Sequence, residues 1–282
     1  MALSKFLDPK NDVAFRKIFG TEANKDILIH FVNDVLELKG NDKIEDVEYL
    51  ATIQNPDIAY AKESVVDVLC RDRNGIEIIV EMQVSPERGF EKRAQYYASK
   101  AYSKQLERGK GEKGRYYNLK EVIFIAISDY VIFKDKKAFK SNHVILDKAT
   151  YENDLKDFSF TFIELPKFKK TKIEELNTIL DKWCYFFKHA DETSESDLQK
   201  IIGSDLVIER AYEALNQFNW TEIELNTYEK EVKRIMDNQA AEDYLIEKGR
   251  EQGIIKGREE EKFAIARNLL SKNIDASIIS QA

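Results

Sequence analysis

The chain has 282 residues, a hydrophobic share of 43% and a formal net charge of −7. That is enough chain for one large domain or two ordinary ones, with an ordinary supply of core-forming residues. The acidic balance argues against a simple basic nucleic-acid binder, and no apolar run approaches the roughly 20 residues needed to span a bilayer.

In chain order, Asn11 and Asp12 can cap a helix in which Phe15, Ile18 and Phe19 recur at helical spacing. GTEAN interrupts it. A second helical run follows, with Ile27, Leu28, Phe31, Val32, Val35 and Leu36 on one face, ending at Lys39-Gly40. Three strands are predicted next, over 44–52, 64–72 and 76–84. Residues 86–109 read as a helix with Ala94, Tyr97, Ala98 and Ala101 on a packing face. Residues 119–129 read as a buried central strand and 158–165 as a later one, stopped by Pro166. Beyond Lys170 only helices are predicted. They are an amphipathic 173–190 with Leu176, Ile179, Leu180, Trp183 and Phe187 inward, then 197–217 and 220–247.

The expected organisation is an α/β core over 1–166, a helical region over 167–247 and a glycine-punctuated tail over 248–282. Gly249, Gly253 and Gly257 fall on one helical stripe. Two readings stay open for that stripe: close approach of a partner helix, or a frayed tail. The final NIDASIISQA reads as the start of a further helical element cut short. The opening MALSKFLDPKND lacks the apolar centre of a signal peptide. Cys70 and Cys184 sit in apolar stretches and read as buried free thiols, so a cytoplasmic protein is expected. The three histidines show no zinc spacing, which leaves oxygen ligands for any metal.

The loop DRNGI decides which residues face each other across the central hairpin. A two-residue Asn74-Gly75 turn would pair Arg73 with Ile76 and send Asp67 and Glu81 to opposite faces. A three-residue loop, Arg73-Asn74-Gly75, pairs Asp72 with Ile76 and sets Asp67 directly across from Glu81. The second register also groups Val66, Val68 and Cys70 with Ile76, Ile78, Val80, Met82 and Val84, so it is the one predicted. Two carboxylates opposed at about 5 Å between Cβ atoms repel each other. Two readings follow: both acids face solvent and bind nothing, or a divalent cation sits between them. Mg2+ suits carboxylate, carbonyl and water ligands, so the backbone carbonyl of Met82 is a candidate third donor. Gln83, on the same face, can position a phosphate or the attacking water.

Between Arg88 and Lys120 ten Lys or Arg stand against three Glu, with Tyr96, Tyr97, Tyr102, Tyr116 and Tyr117 interleaved. This stretch is either a solvated helix and loop or a phosphate-facing surface with aromatic contacts.

The ordered set of segments resembles a known family. NDVAFRKIFG (11–20), VVDVLCRDRNGIEIIVEMQ (65–83), RAQYYASKAYSKQLERG (93–109) and EKGREQGIIKG (247–257) resemble the PD-(D/E)xK nuclease superfamily. They are closer still to its Rpn branch, the recombination-promoting nucleases also labelled transposases. The resemblance implies a restriction-endonuclease-like α/β fold, a mixed central sheet flanked by helices, with an all-helical C-terminal extension. It implies Mg2+-dependent cleavage of DNA phosphodiesters, with Mn2+ as an alternative ion. Asp67 and Glu81 then become metal ligands with the Met82 carbonyl, and Asp67, Glu81 and Gln83 the catalytic set. Gln83 stands where the superfamily pattern has lysine, so the site leans on the metal for charge. Gln95, Tyr96 and Asp12 are accessory candidates. Arg88, Lys92, Arg93, Lys100 and Lys104 are candidates for DNA phosphates.

The leading expectation is a metal-dependent DNA endonuclease, with hydrolysis favoured over strand transfer. The name transposase would need a third carboxylate of the RNase H type or an end-recognition segment. The rival is a catalytically weak or inactive nuclease-fold protein that binds DNA. A third expectation is a homo-oligomer assembled through the helical tail.

Overall fold

The computed structural model describes residues 4–54, 64–108, 115–203 and 205–272. The predicted helical start in NIDASIISQA, together with Lys110 and Lys113 of the basic stretch, lies outside those residues. The described structure falls into two compact units, residues 1–228 and 229–282.

The first unit is built on a six-stranded mixed sheet in the order β1-β4-β5-β6-β8-β7. Its strands are β1 (Val47–Tyr49), β4 (Val68–Asp72), β5 (Glu77–Gln83), β6 (Val122–Ser128), β7 (Lys140–Val144) and β8 (Phe158–Glu164). A separate two-stranded pair joins β2 (Ile53–Gln54) to β3 (Ser64–Val65). β5, β6 and β8 run parallel in the middle, and the remaining neighbours are antiparallel. β6 reads VIFIAIS and is buried along its whole length, as a parallel central strand covered on both faces must be.

Helices cover both faces of this sheet. On one face lie α1 (Asp12–Phe19), α2 (Lys25–Leu36), α4 (Ile179–His189), α5 (Glu195–Ile202) and α6 (Leu206–Leu215). Their Phe15, Phe19, Phe31, Trp183, Phe187 and Tyr212 join Val68, Cys70, Ile78, Val80, Ile125 and Ile127 in one apolar cluster. Each such side chain, once buried, contributes about 1.5–3 kcal/mol. On the other face lies α3 (Phe90–Arg108), whose Ala94, Ala98 and Ala101 let the helix approach Leu69, Ile79, Phe124 and Ala126 closely. The N-terminal arm closes against the helical region: Leu7 N–H donates to Leu215 O at 3.0 Å, and Gln217 N–H to Lys5 O at 3.1 Å. Helices α4 to α6 therefore complete the same core as α1 and α2.

The hairpin closes with the three-residue loop. Val68 pairs with Val80, Leu69 with Ile79 and Arg71 with Glu77. Asp72 N–H donates to Ile76 O at 2.9 Å, and Gly75 takes a positive φ of 88°. The Asp72 carboxylate fixes the turn by accepting from Asn74 N–H and Ile76 N–H.

Several expectations need correction. The predicted strand 64–72 is broken at Val66–Asp67, and Val66 packs with Leu69 and Ile79 rather than with Val68 and Cys70. The break arises because Asp67 N–H bonds to a side chain instead of a ladder carbonyl. β7 was not predicted, since KSNHV at a sheet edge carries no apolar alternation. α2 stops at Leu36, where Glu37 turns left-handed at φ 58°. α3 starts at Phe90, after Gly89 at φ 85°. The α-helix predicted from 173 begins at Ile179, because Thr178 and Asp181 form a capping box there. The predicted 197–217 is two helices separated by Gly203 at φ 55°.

Most of the predicted segment 220–247 and the glycine-bearing start of the tail form one helix, α7 (Glu222–Ser271), with no buried residue. Gly249, Gly253 and Gly257 lie within it, and a Cβ built at any of them meets nothing within 4 Å.

Candidate active site

The break between β3 and β4 creates the site. One residue beyond the Val68–Val80 pair, the register sets Asp67 opposite Glu81. The ladder is replaced there by a reciprocal exchange of side chain and backbone. Asp67 N–H donates to Glu81 Oε2 at 3.1 Å, and Met82 N–H donates to Asp67 Oδ2 at 3.0 Å. Each carboxylate thus has one oxygen fixed by a backbone amide, which locks both side chains face to face.

The second oxygens meet guanidinium groups. Arg16, one turn into α1, brings Nη2 to 3.1 Å from Asp67 Oδ1. Arg93, in the first turn of α3, brings Nη2 to 3.6 Å from Glu81 Oε1. The Arg93 guanidinium also donates to Gln83 Oε1 and Glu87 Oε2. It lies 4.8 Å from the Phe90 ring centre and 5.7 Å from that of Tyr97. The Gln83 amide donates to Ser85 O at 2.8 Å, so its oxygen is turned towards Arg93.

Both acids are buried, with Asp67 8% and Glu81 6% exposed. Burial raises the Asp67 carboxyl above its ordinary range, against the pull of the Met82 amide and Arg16. Burial, and then the Asp67 charge, pushes Glu81 up to about 8. The pair prefers to hold a proton at neutral pH because two anions in so dry a place repel. Such a site has an unmet demand for positive charge.

A divalent cation would meet that demand, and the donor set fits one. Asp67 and Glu81 supply two oxygens already opposed. Within a strand a residue's N–H and C=O point to the same side, so the Met82 carbonyl faces Asp67 as its amide does. Among the described residues there is no group of three His, Cys, Asp or Glu that could hold a metal. Two carboxylates and a carbonyl leave several positions to water, the arrangement Mg2+ favours.

The other predicted residues are distributed unevenly. Asn11 caps α1 by accepting from Val13 N–H, and Asp12 is the acid of the first turn, matching the helix dipole. Gln95 lines a 310 Å³ cleft with Phe133, His143, Phe160 and Phe162, and its amide donates to Glu91 O. Tyr96 is 50% exposed, and it is Tyr97 that stacks beside Arg93. Tyr102 donates to Asp157 Oδ2 at 2.5 Å and packs on Phe158, a structural role. Lys92, Tyr96, Lys100 and Lys104 recur every four residues and so form one stripe along α3. Arg88 and Lys92 are exposed, as are Tyr116 and Tyr117. Two residues of the site were not expected there. Arg16 gave no signal beyond being a cation in the first helix. Arg93 was expected on the phosphate surface, and the missing lysine was the sequence hint that a cation must come from elsewhere.

A mixed sheet flanked by helices, with an opposed acid pair on its central hairpin, defines a restriction-endonuclease-like α/β protein. The sequence model of the PD-(D/E)XK nuclease family transposases matches residues 9–244, and the chain belongs to that family. The match runs from the residues before α1 into α7, so it includes the helices that complete the core. Comparisons with curated proteins and with solved structures give no match.

Proposed function

We propose that the protein is a divalent-metal-dependent DNA endonuclease that hydrolyses phosphodiester bonds. The observation that carries this reading is the Asp67–Glu81 exchange, which holds two buried carboxylates against each other at an electrostatic cost. A fold maintains such strain where function needs it. Asp67, Glu81 and the Met82 carbonyl would hold Mg2+ or Mn2+, which supplies charge neutralisation and an acidified water. Gln83 orients polar groups at the mouth of the site. The stripe of Lys92, Lys100 and Lys104, with Arg88, receives the backbone of DNA on either side of the scissile phosphate. In the hydrolysis a water oxygen bonds to phosphorus, one bridging P–O bond breaks, and the water's proton passes to the solvent or the departing oxygen.

The test is incubation of supercoiled plasmid with the protein and Mg2+ or Mn2+, beside Asp67→Ala and Glu81→Ala. Nicking by the wild type, lost in both variants, is expected. Nicking that survives in both would refute the site. A second reading, a nuclease-fold protein that binds DNA without cutting, is favoured by glutamine at the lysine position; plasmid retarded but intact would select it. Self-association through α7 is proposed from its exposed Leu245, Ile246, Ile254, Ile255 and Phe263, and light scattering on the full chain reads it directly.

A further inference from the structure

We propose that Arg93 is the cationic catalytic residue of this site, doing from helix α3 what a lysine at position 83 would do from strand β5. The inference rests on the nuclease reading above. Hydrolysis adds negative charge to the phosphoryl oxygens in the transition state, and a fixed positive group beside them is worth about 100- to 1,000-fold in rate in general. Gln83 is neutral and cannot supply it. The guanidinium that reaches Gln83 Oε1 is that of Arg93, and it also stands 3.6 Å from Glu81 Oε1. It therefore occupies the space a lysine ammonium at position 83 would enter.

Three features suit Arg93 to this role. It is held in place from two sides, by the Phe90 and Tyr97 rings and by the Gln83 and Glu87 oxygens, so little freedom remains to be lost when substrate binds. Its Nε is buried and has no hydrogen-bond partner, so the protein itself does not use up all the donors of this guanidinium. In the free protein its ion-pair partner is Glu87, with Glu81 Oε1 3.6 Å away. A dication taken up by the two carboxylates would cancel Glu81 and leave Arg93 with charge to offer. Arginine stays protonated throughout, so its part is electrostatic; it neither donates nor removes a proton. Gln83 becomes its positioning residue, with the carboxamide oxygen aiming the guanidinium. Arg16 differs: it is half-exposed, with a single bond to Asp67, and lacks the ring and amide supports.

The experiment measures plasmid nicking by the full chain in Mn2+ for the wild type, Arg93→Ala, Arg93→Lys, and Arg93→Ala combined with Gln83→Lys. Mn2+ affinity is measured in parallel by electron paramagnetic resonance. Arg93→Ala should lower kcat by at least about 100-fold with KM within about threefold. It should bind Mn2+ no more weakly than the wild type, and Arg93→Lys should keep an intermediate rate. The decisive arm is the double variant: a lysine at position 83 should recover at least about tenfold over Arg93→Ala, which a purely structural arginine would not allow. Should the alanine variant lose its melting transition, Arg93→Gln takes its place. A wild type that cuts while Arg93→Ala cuts equally well overturns the inference alone, as does a double variant no better than Arg93→Ala. Weakened Mn2+ binding in Arg93→Ala assigns the residue to holding the site together and overturns it too. A wild type that cuts nothing overturns the nuclease reading itself.

Discussion

Replacing Glu81 by glutamine should stabilise the metal-free protein while abolishing its chemistry. The glutamine keeps the shape and an oxygen for Asp67 N–H, but removes the second buried negative charge. In the fold Glu81 is lifted from an ordinary 4.5 to about 8. A carboxyl raised on folding contributes stability that is complete below pH 4.5 and disappears as pH climbs through about 8. The full separation corresponds to at most about 4–5 kcal/mol. Relaxation of the fold around a buried charge reduces this, so about 2 kcal/mol between pH 5 and pH 8 is the working figure. The assay is urea unfolding in EDTA at those two pH values, for the wild type and Glu81→Gln. The variant should gain on the wild type as pH rises. Saturating Mg2+ should raise the wild type and leave the variant nearly unmoved, since only a protein that binds the ion gains by mass action. A variant less stable at pH 8, or a difference that does not change with pH, would refute the claim that the two acids strain each other.

Other consequences are equally direct. Glu164 is fully buried and accepts from Lys167 Nζ at 2.6 Å and from Ile132 and Phe133 N–H. Lys167→Met, leaving that charge without its cation, should cost about 3 kcal/mol in chemical denaturation. Gly75→Ala would force a side chain into φ 88° with its Cβ 3.2 Å from Lys120 Cγ, and should lower stability by about 1–2 kcal/mol. Glu224, bonded to Lys17 and Thr221 N–H, is held down to about 2, so its stabilisation is present above pH 4.5 and is lost as pH falls towards 2. Because that carboxylate is well exposed, Glu224→Gln should cost only about 0.5–1 kcal/mol at pH 7, and nothing near pH 2 by thermal melting.

The hairpin was the most legible part of the chain. Its register followed from two apolar sets that only a three-residue loop brings together, and the opposition of Asp67 to Glu81 followed from the register. Legibility failed where a side chain took over a backbone role. The break at Val66–Asp67 depends on a carboxylate accepting an amide proton, which leaves no trace in hydrophobic spacing. β7 failed for a related reason, since KSNHV forms a strand through its pairing with β8 and not through its own pattern. The clamp of Arg16 and Arg93 joins residues 51 and 12 positions from their acids, through helices on opposite faces of the sheet. Only tertiary packing could bring them together.

The closing of the N-terminal arm on the last helices of the core has a consequence during synthesis. Phe6 packs on Tyr212, and Leu7 bonds to Leu215, about two hundred residues later in the chain. At roughly 5–20 residues per second, the ribosome needs some 10–40 s to deliver the second partner after the first. Until then the apolar cluster that α1 and α2 share with α4 to α6 is incomplete. The core around the acid pair thus reaches its finished packing only after Leu215 has left the ribosome, so an early stop before that point yields fragments without that packing.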